Sequence, residues 1–319
     1  MQPTSDNPVN ARFTDTANAA ASDTASAAAN GAVDSAPDSP GRPAPIRALT
    51  IASSDSGGGA GIQADLKAFA RCGVHGMSAI VALTAQNTVG VNAVHECPPD
   101  FILAQLDAIF DDLPPAAIKT GMLFSEQIIT TVAQALAGRD VPLVVDPVMI
   151  ASSGAQLLRE DAVGALVELL FPLATVITPN LMEAQALTGL GSEDRAEIAE
   201  ALVAMGARGV LVTGGHGQQH IDHLYADGQH LDIPVPRYPV AATHGAGCTH
   251  SAALAACLAR GLPVAQAARQ AALVAASAVK HGLVGLGAGD GPVDVLDVRS
   301  MRPPTGSPAG NPAQAGQLR

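Results

Sequence analysis

Leu49-Thr50-Ile51-Ala52-Ser53-Ser54-Asp55-Ser56-Gly57-Gly58-Gly59-Ala60-Gly61-Ile62-Gln63-Ala64-Asp65-Leu66-Lys67 reads as one complete strand, turn and helix. Its first residues are apolar at successive positions, as in a strand covered on both faces. The glycines allow a tight turn, and Ile62, Leu66 and Phe69 then share one helical stripe. The same unit recurs downstream. Short aliphatic runs at 78–83, 117–120, 142–145, 175–178 and 210–213 alternate with helical spacing, as in Ile102, Leu106, Ile109 and Leu113, or Val163, Leu166, Val167 and Leu170. Repeated alternation of this kind predicts an α/β fold, a mostly parallel sheet between two layers of helices. Beyond Gly214 the pattern changes to a hairpin, 221–225 and 231–235 about Asp227-Gly228, and two Ala-rich helices, 247–260 and 264–281, close the domain.

Around this core lie two segments of different composition. Residues 1–45 are rich in Ala, Ser, Thr, Asn, Asp and Pro, with Met1, Val9, Phe13 and Val33 as their large apolar residues, and 301–319 are biased to Pro, Gly and Gln. Both are expected to be flexible, an N-terminal extension and a C-terminal tail around a domain spanning 46–300. Early aspartates at positions 6, 15 and 23 argue against a signal peptide, and no apolar run is long enough to span a bilayer. With 17 basic and 29 acidic residues the net charge is −12, which excludes a general grip on nucleic acid or an anionic membrane. The absence of Trp, with only two Tyr and six Phe, leaves few platforms for stacking bases. Four cysteines in 319 residues make no disulfide scaffold and point to the reducing cytoplasm.

Ligands of doubly wound sheets sit beyond the carboxyl ends of the strands, so those segments are where chemistry is expected. In the first, Ser53 to Gly61, free N–H groups at a glycine-rich helix start could meet a ligand. Gly59, Gly61 and Ala64 fit the dinucleotide pattern, but the next strand runs into Leu83-Thr84-Ala85-Gln86-Asn87 where that pattern requires an acid. A second segment, Val144-Val145-Asp146-Pro147-Val148-Met149, ends a strand in a carboxylate. In the third, Thr178-Pro179-Asn180-Leu181-Met182-Glu183, the acid Glu183 could share magnesium with Asp146, or close a capping box with Asn180. A fourth, Thr243-His244-Gly245-Ala246-Gly247-Cys248-Thr249-His250-Ser251, places small residues and a thiol at a helix start, where amides suit an anion and a thiolate should be stabilised. Cys72, Cys97 and Cys257 read as space-filling, and the spacing of His216, His220 and His223 does not favour a metal cluster.

Taken together and in order, 51–67, Asp146 to Met149, Thr178 to Glu183, Gly214 to His216 and His244 to Thr249 resemble the hydroxymethylpyrimidine/phosphomethylpyrimidine kinases of thiamine biosynthesis. These are members of the ribokinase-like group. The resemblance implies a three-layer α/β/α fold, ATP and magnesium as cofactors, a homodimer, and two successive phosphorylations of a small pyrimidine. It implies that Gln86 hydrogen-bonds the aminopyrimidine, that Ala60, Met122 and Val148 line its pocket, and that Asp65 faces the same cleft. Asp146 and Glu183 would organise magnesium and the nucleotide phosphates, with Asn180, Thr213 and Gly215 on the nucleotide side. Gly245, Ala246, Gly247 and Cys248 would form an anion hole, with Cys248 near the attacking oxygen, and the 287–293 stretch would lie near the adenine. The chain departs from the family pattern at Ser53, Thr213, Ala246 and His250, where Gly, Lys, Thr and an apolar residue are frequent. A pyridoxal-type kinase of the same fold and a catalytically silent pyrimidine-binding regulator are the alternatives.

Overall fold

A computed structural model describes residues 44–150, 154, 156–159, 161–214 and 220–301. The chain divides into two units, Met1–Ala44 and Pro45–Arg319, and every strand and helix among the described residues belongs to the second. The expectations for residues 1–45 and 301–319 fall almost wholly outside the described residues.

Among the described residues nine strands form one sheet: β1 (Arg47–Asp55), β2 (His75–Gln86), β3 (Val91–Glu96), β4 (Ala117–Thr120), β5 (Leu143–Val145), β6 (Val176–Ile177), β7 (Val210–Val212), β8 (Ile221–Ala226) and β9 (Gln229–Pro234). Their spatial order is β3-β2-β1-β4-β5-β6-β7-β8-β9. From β2 to β7 every pairing is parallel, and antiparallel strands flank both sides. The chain runs outward from β1 to β2 and then returns to the far side of β1, which creates a switch point between β1 and β4.

Strand alternation sorts the side chains into two cores. Leu49 and Ile51 of β1, Ile118 of β4, Leu143 and Val145 of β5, Ile177 and Val210 pack on one face. There they meet α2 (Pro99–Asp112), α3 (Glu126–Leu136), α4 (Ala162–Ala165), α5 (Leu181–Thr188) and α6 (Arg195–Ala204). Ala48, Ala117, Val144, Val176 and Leu211 point the other way, toward α1 (Gly61–Arg71), α7 (Ala246–Ala259) and α8 (Val264–Lys280). The expected three layers are therefore present. Along 162–173 the helix expected from spacing is less regular: α4 passes into a π-helical turn, Leu166–Leu170, and a 3₁₀ turn, Phe171–Leu173, where Pro172 cannot continue the α-helical hydrogen bonding.

Candidate active site

At the carboxyl end of β1 the chain enters the first glycine-rich turn, and there the turn closes on its own strand. Asp55, almost fully buried, accepts hydrogen bonds from the amides of Gly57 (2.7 Å), Gly59 (3.0 Å) and Ala60 (2.8 Å), and from His244 Nε2 at 3.1 Å. Burial works to raise this carboxyl, but His244 and the amides of Ala60 and Gly57 outweigh it and hold it below its ordinary value. The N–H groups expected to await a ligand are thus spent on an internal carboxylate. The Gly61 backbone, bridged to Ser54, lies close enough to Cys248 to favour its thiolate.

The second glycine-rich turn behaves differently. Gly245, the N-cap of α7, has φ +82°, and a Cβ there would lie 1.9 Å from the Gly59 carbonyl oxygen, so only glycine lets the two turns interlock. No side chain caps α7. The Ala246 amide closes a turn on the Thr243 carbonyl and the Thr249 amide begins the helical ladder at Gly245. Among the described residues the amides of Gly247 and Cys248 have no acceptor. Two aligned donors at the positive end of a helix are an anion site in waiting.

Below this turn lies a buried charge cluster. Lys119 and Asp65 are fully buried, with Nζ 2.9 Å from both carboxylate oxygens of Asp65, which also accepts from Thr50 Oγ1 at 2.6 Å. The same ammonium is 3.9 Å from Asp146 Oδ2, which accepts a hydrogen bond from Ser251 Oγ of α7 at 2.8 Å. A Cβ at Gly121 would come within 2.7 Å of Lys119 Nζ, so the bare backbone there makes room for the ammonium. This corrects the expectation for Asp65: it turns inward to Lys119 and has no surface left for a substrate.

Burial pushes the Asp146 carboxyl up, opposed by Lys119, Ser251 and His250. Glu183 is pushed from 4.5 to about 8, first by burial and then by the charge of Asp146. The capping box is real: the Glu183 amide donates to Asn180 Oδ1 and the Asn180 amide to Glu183 Oε2, both at 2.9 Å, while the Met149 amide donates to Oε1 at 3.4 Å. These bonds also fix the carboxylate beside Asp146, so capping and charge coexist in one residue. Two carboxylates raised together, Asp146 buried and Glu183 half-buried, make a donor set that a small hard cation relieves, which fits magnesium.

The Cys248 thiol is pushed up to about 12. Burial is the main cause; Lys119 and the Gly61 amide oppose it, and Asp65 and Asp146 add to it. The expected stabilised thiolate is therefore corrected, because neighbouring carboxylates and lost hydration outweigh the helix start.

The other expected residues are distributed along the same strand ends. Half-buried Gln86 ends β2; its Oε1 accepts from Thr84 Oγ1 at 3.0 Å, and its backbone is clasped by Ser56. Met122, after β4, is buried and accepts the Ser53 hydroxyl at its carbonyl (2.9 Å), and Val148 follows Asp146, half-buried. Thr213 is bridged to Asn180 and donates its amide to Pro179 (2.9 Å), joining the ends of β6 and β7. Gly215 and His216 lie outside the described residues. Gly287 and Gly289 pack on Thr88 of the β2–β3 turn, Gly291 packs on Leu283 and Ala242, and Asp290 is bound to Thr243. His223, at 2.7 Å from Asp232 and 2.9 Å from His230, belongs to a separate hydrogen-bonded chain on β8 and β9.

Sequence reading did not single out Asp55, Lys119, His244 or Ser251. For Lys119 a signal exists, a charge in the middle of the apolar run Ala117-Ile118-Lys119-Thr120.

Residues 55–294 match the model of the family described as phosphomethylpyrimidine kinase. The hydroxymethylpyrimidine/phosphomethylpyrimidine kinase of Rhizobium meliloti (strain 1021) is 50% identical over 255 residues, 77% of this chain and 95% of that protein. The thiamine biosynthesis bifunctional protein ThiED of Geobacter sulfurreducens is 46% identical over 261 residues, 80% of this chain and 53% of that longer protein. Among solved structures, an ADP complex of Bacillus subtilis pyridoxal kinase superposes with a TM-score of 0.71 at 39% identity, covering 81% of this chain and 100% of that one.

Proposed function

Because the chain belongs to the phosphomethylpyrimidine kinase family, with its ribokinase-like α/β/α fold, we propose that phosphoryl transfer takes place over the first turn of α7. The protein is an ATP-dependent kinase that phosphorylates 4-amino-5-hydroxymethyl-2-methylpyrimidine and then the resulting monophosphate, in thiamine biosynthesis. The observation that carries the assignment of the site is the pair of unspent amides, Gly247 and Cys248, near the buried carboxylate of Asp146 and the half-buried one of Glu183.

Phosphoryl transfer asks for alignment and charge stabilisation more than for covalent chemistry. The amides of Gly247 and Cys248, backed by Gly245 and Ala246, hold the oxygens of the moving group. Asp146 and Glu183 would hold magnesium through water, and the ion would supply positive charge beside the phosphates. Asn180 and Thr213 border the nucleotide side. Gln86 holds the aminopyrimidine edge, with Ala60, Met122 and Val148 around the ring. Asp65 acts through Lys119 and touches no ligand. Cys248 is the proposed acceptor of the alcohol proton in the first phosphorylation, a role open only to its thiolate, so the raised thiol must first give up its own proton to solvent. Four free thiols fit a cytoplasmic enzyme, and among the described residues no helix is long and apolar enough to cross a membrane. A homodimer is the proposed assembly.

The test is ADP release with magnesium and ATP against the hydroxymethylpyrimidine, its monophosphate and pyridoxal, the last because the Bacillus subtilis pyridoxal kinase has the same fold. Turnover of both pyrimidines is expected. In Cys248→Ala the alcohol reaction should fall far more than the monophosphate reaction, whose acceptor needs no base. Equal loss in both would make Cys248 part of the anion hole alone.

A further inference from the structure

The residue after Thr249 in α7 is a buried histidine. His250 Nε2 lies 3.1 Å from Asp222 Oδ2 of β8, with both side chains almost wholly inaccessible. Despite that distance, neither ring nitrogen makes a hydrogen bond among the described residues. A buried polar ring left in that condition weakens the fold compared with an apolar side chain of similar size, so stability does not account for it.

Its surroundings do. Asp222 Oδ1 accepts the amide of Gly214 at 2.8 Å, and a Cβ on Gly214 would sit 2.3 Å from the Ile221 carbonyl oxygen. The end of β7 is therefore pinned directly over the start of β8, with Asp222 as the pin. The neighbour of His250, Ser251, holds Asp146 at the end of β5. Two consecutive side chains of α7 thus engage two buried carboxylates on strands three places apart in the sheet, one beside the amides of Gly247 and Cys248, the other under Gly214. Of the other charges, Asp146 also feels His250, Lys119 is committed to Asp65 and Asp146, and Arg269 and Lys280 of α8 are exposed.

We propose that His250, through Asp222, is a positioning residue that ties the anion-binding turn of α7 to Thr213 and Gly214, and so sets the distance between the transferred phosphoryl group and the rest of the nucleotide. The inference rests on the phosphoryl-transfer reading of the α7 turn. It predicts that His250 serves ATP and leaves the pyrimidine end untouched.

Steady-state kinetics and calorimetric titration with magnesium and ATP test it on the full chain, using His250→Leu, Asp222→Asn and the double variant. His250→Leu should raise the KM and the dissociation constant for ATP about fivefold. Its KM for the pyrimidine and its kcat should stay within about twofold, and its melting temperature should be unchanged or higher, which separates positioning from damage to the fold. Asp222→Asn should raise the same ATP constants, and the double variant should do no more than the worse single one. An unchanged ATP constant in His250→Leu, or single effects that multiply in the double variant, would overturn the inference while the kinase reading stands. If the native protein binds ATP but releases no ADP with either pyrimidine, the kinase reading falls, and the titrations still decide for or against His250.

Discussion

Two glycine-rich turns lead into helices at the same end of the sheet, 56–61 into α1 and 243–247 into α7, and they use their amides in opposite ways. The first folds around Asp55, which takes three of its N–H groups. The second leaves two N–H groups open and caps α7 with no side chain. Glycine content and a helix start are common to both, so neither feature locates an anion site. What separates them is whether a carboxylate of the protein has already occupied the donors. The buried aspartate turns the first loop into a wall, and the second loop, braced on that wall through His244 and the Gly59 carbonyl, is free to bind.

The largest expected effect comes from prising the two turns apart. Gly245→Ala combines φ +82° with a 1.9 Å approach to a backbone oxygen, so kcat/KM should fall roughly a hundredfold or more, or the protein should fail to fold, as judged by ADP release and thermal melting. Next is Asp55→Asn, which strips the charge from the wall; thermal or urea unfolding should show a loss of about 2 kcal/mol. In the native protein the carboxyl, whose pKa is lowered on folding, adds stability that is present above its ordinary 3.8 and disappears as pH falls through the lowered value.

Glu183 sharpens the contrast from the ligand side, because its pKa is shifted the other way. Raised from 4.5 to about 8, it favours folding below 4.5 and loses that contribution as pH rises through about 8. The melting temperature without magnesium should therefore decline between about pH 5 and pH 8. Magnesium should restore more of it at the higher pH, and Glu183→Gln, which keeps a capping partner, should flatten the decline. The smallest effect belongs to Gly58→Ala, at φ +75° with open space around it: about 1 kcal/mol of strain, with ATP and pyrimidine kinetics within about twofold of the native values. A large kinetic effect at Gly58 would mean that the amides of the first turn bind a ligand after all.

The layered fold was legible because most of its strands are buried on both faces and read as unbroken apolar runs. Strand β3 was not, since Val91–Glu96 sits on an edge with half-exposed residues and no buried stripe to betray it. In the site, the small-residue turn of α7 and the carboxylates Asp146 and Glu183 lie in motifs that can be read locally, whereas Gln86 and Met122 were expected only from the family resemblance. The supports of these residues cannot be read locally either. Asp55 meets His244 across 189 positions, Ser251 meets Asp146 across 105 and Lys119 meets Asp65 across 54, and no local spacing encodes such pairs. The Cys248 misreading has the same origin. Its helix position is visible in sequence, whereas the two carboxylates that oppose ionisation arrive from α1 and β5.

The bare backbone at Gly121 has an evolutionary consequence. A methyl group there would crowd the ammonium of Lys119, and Ala52 Cβ at 3.0 Å closes the other side. Replacing Lys119 first would strand the Asp65 carboxylate without a counterion; replacing Asp65 first would strand the ammonium. Each single step out of this arrangement is thus costly although a jointly altered trio could be viable, so lineages should cross between the two only by compound change or not at all.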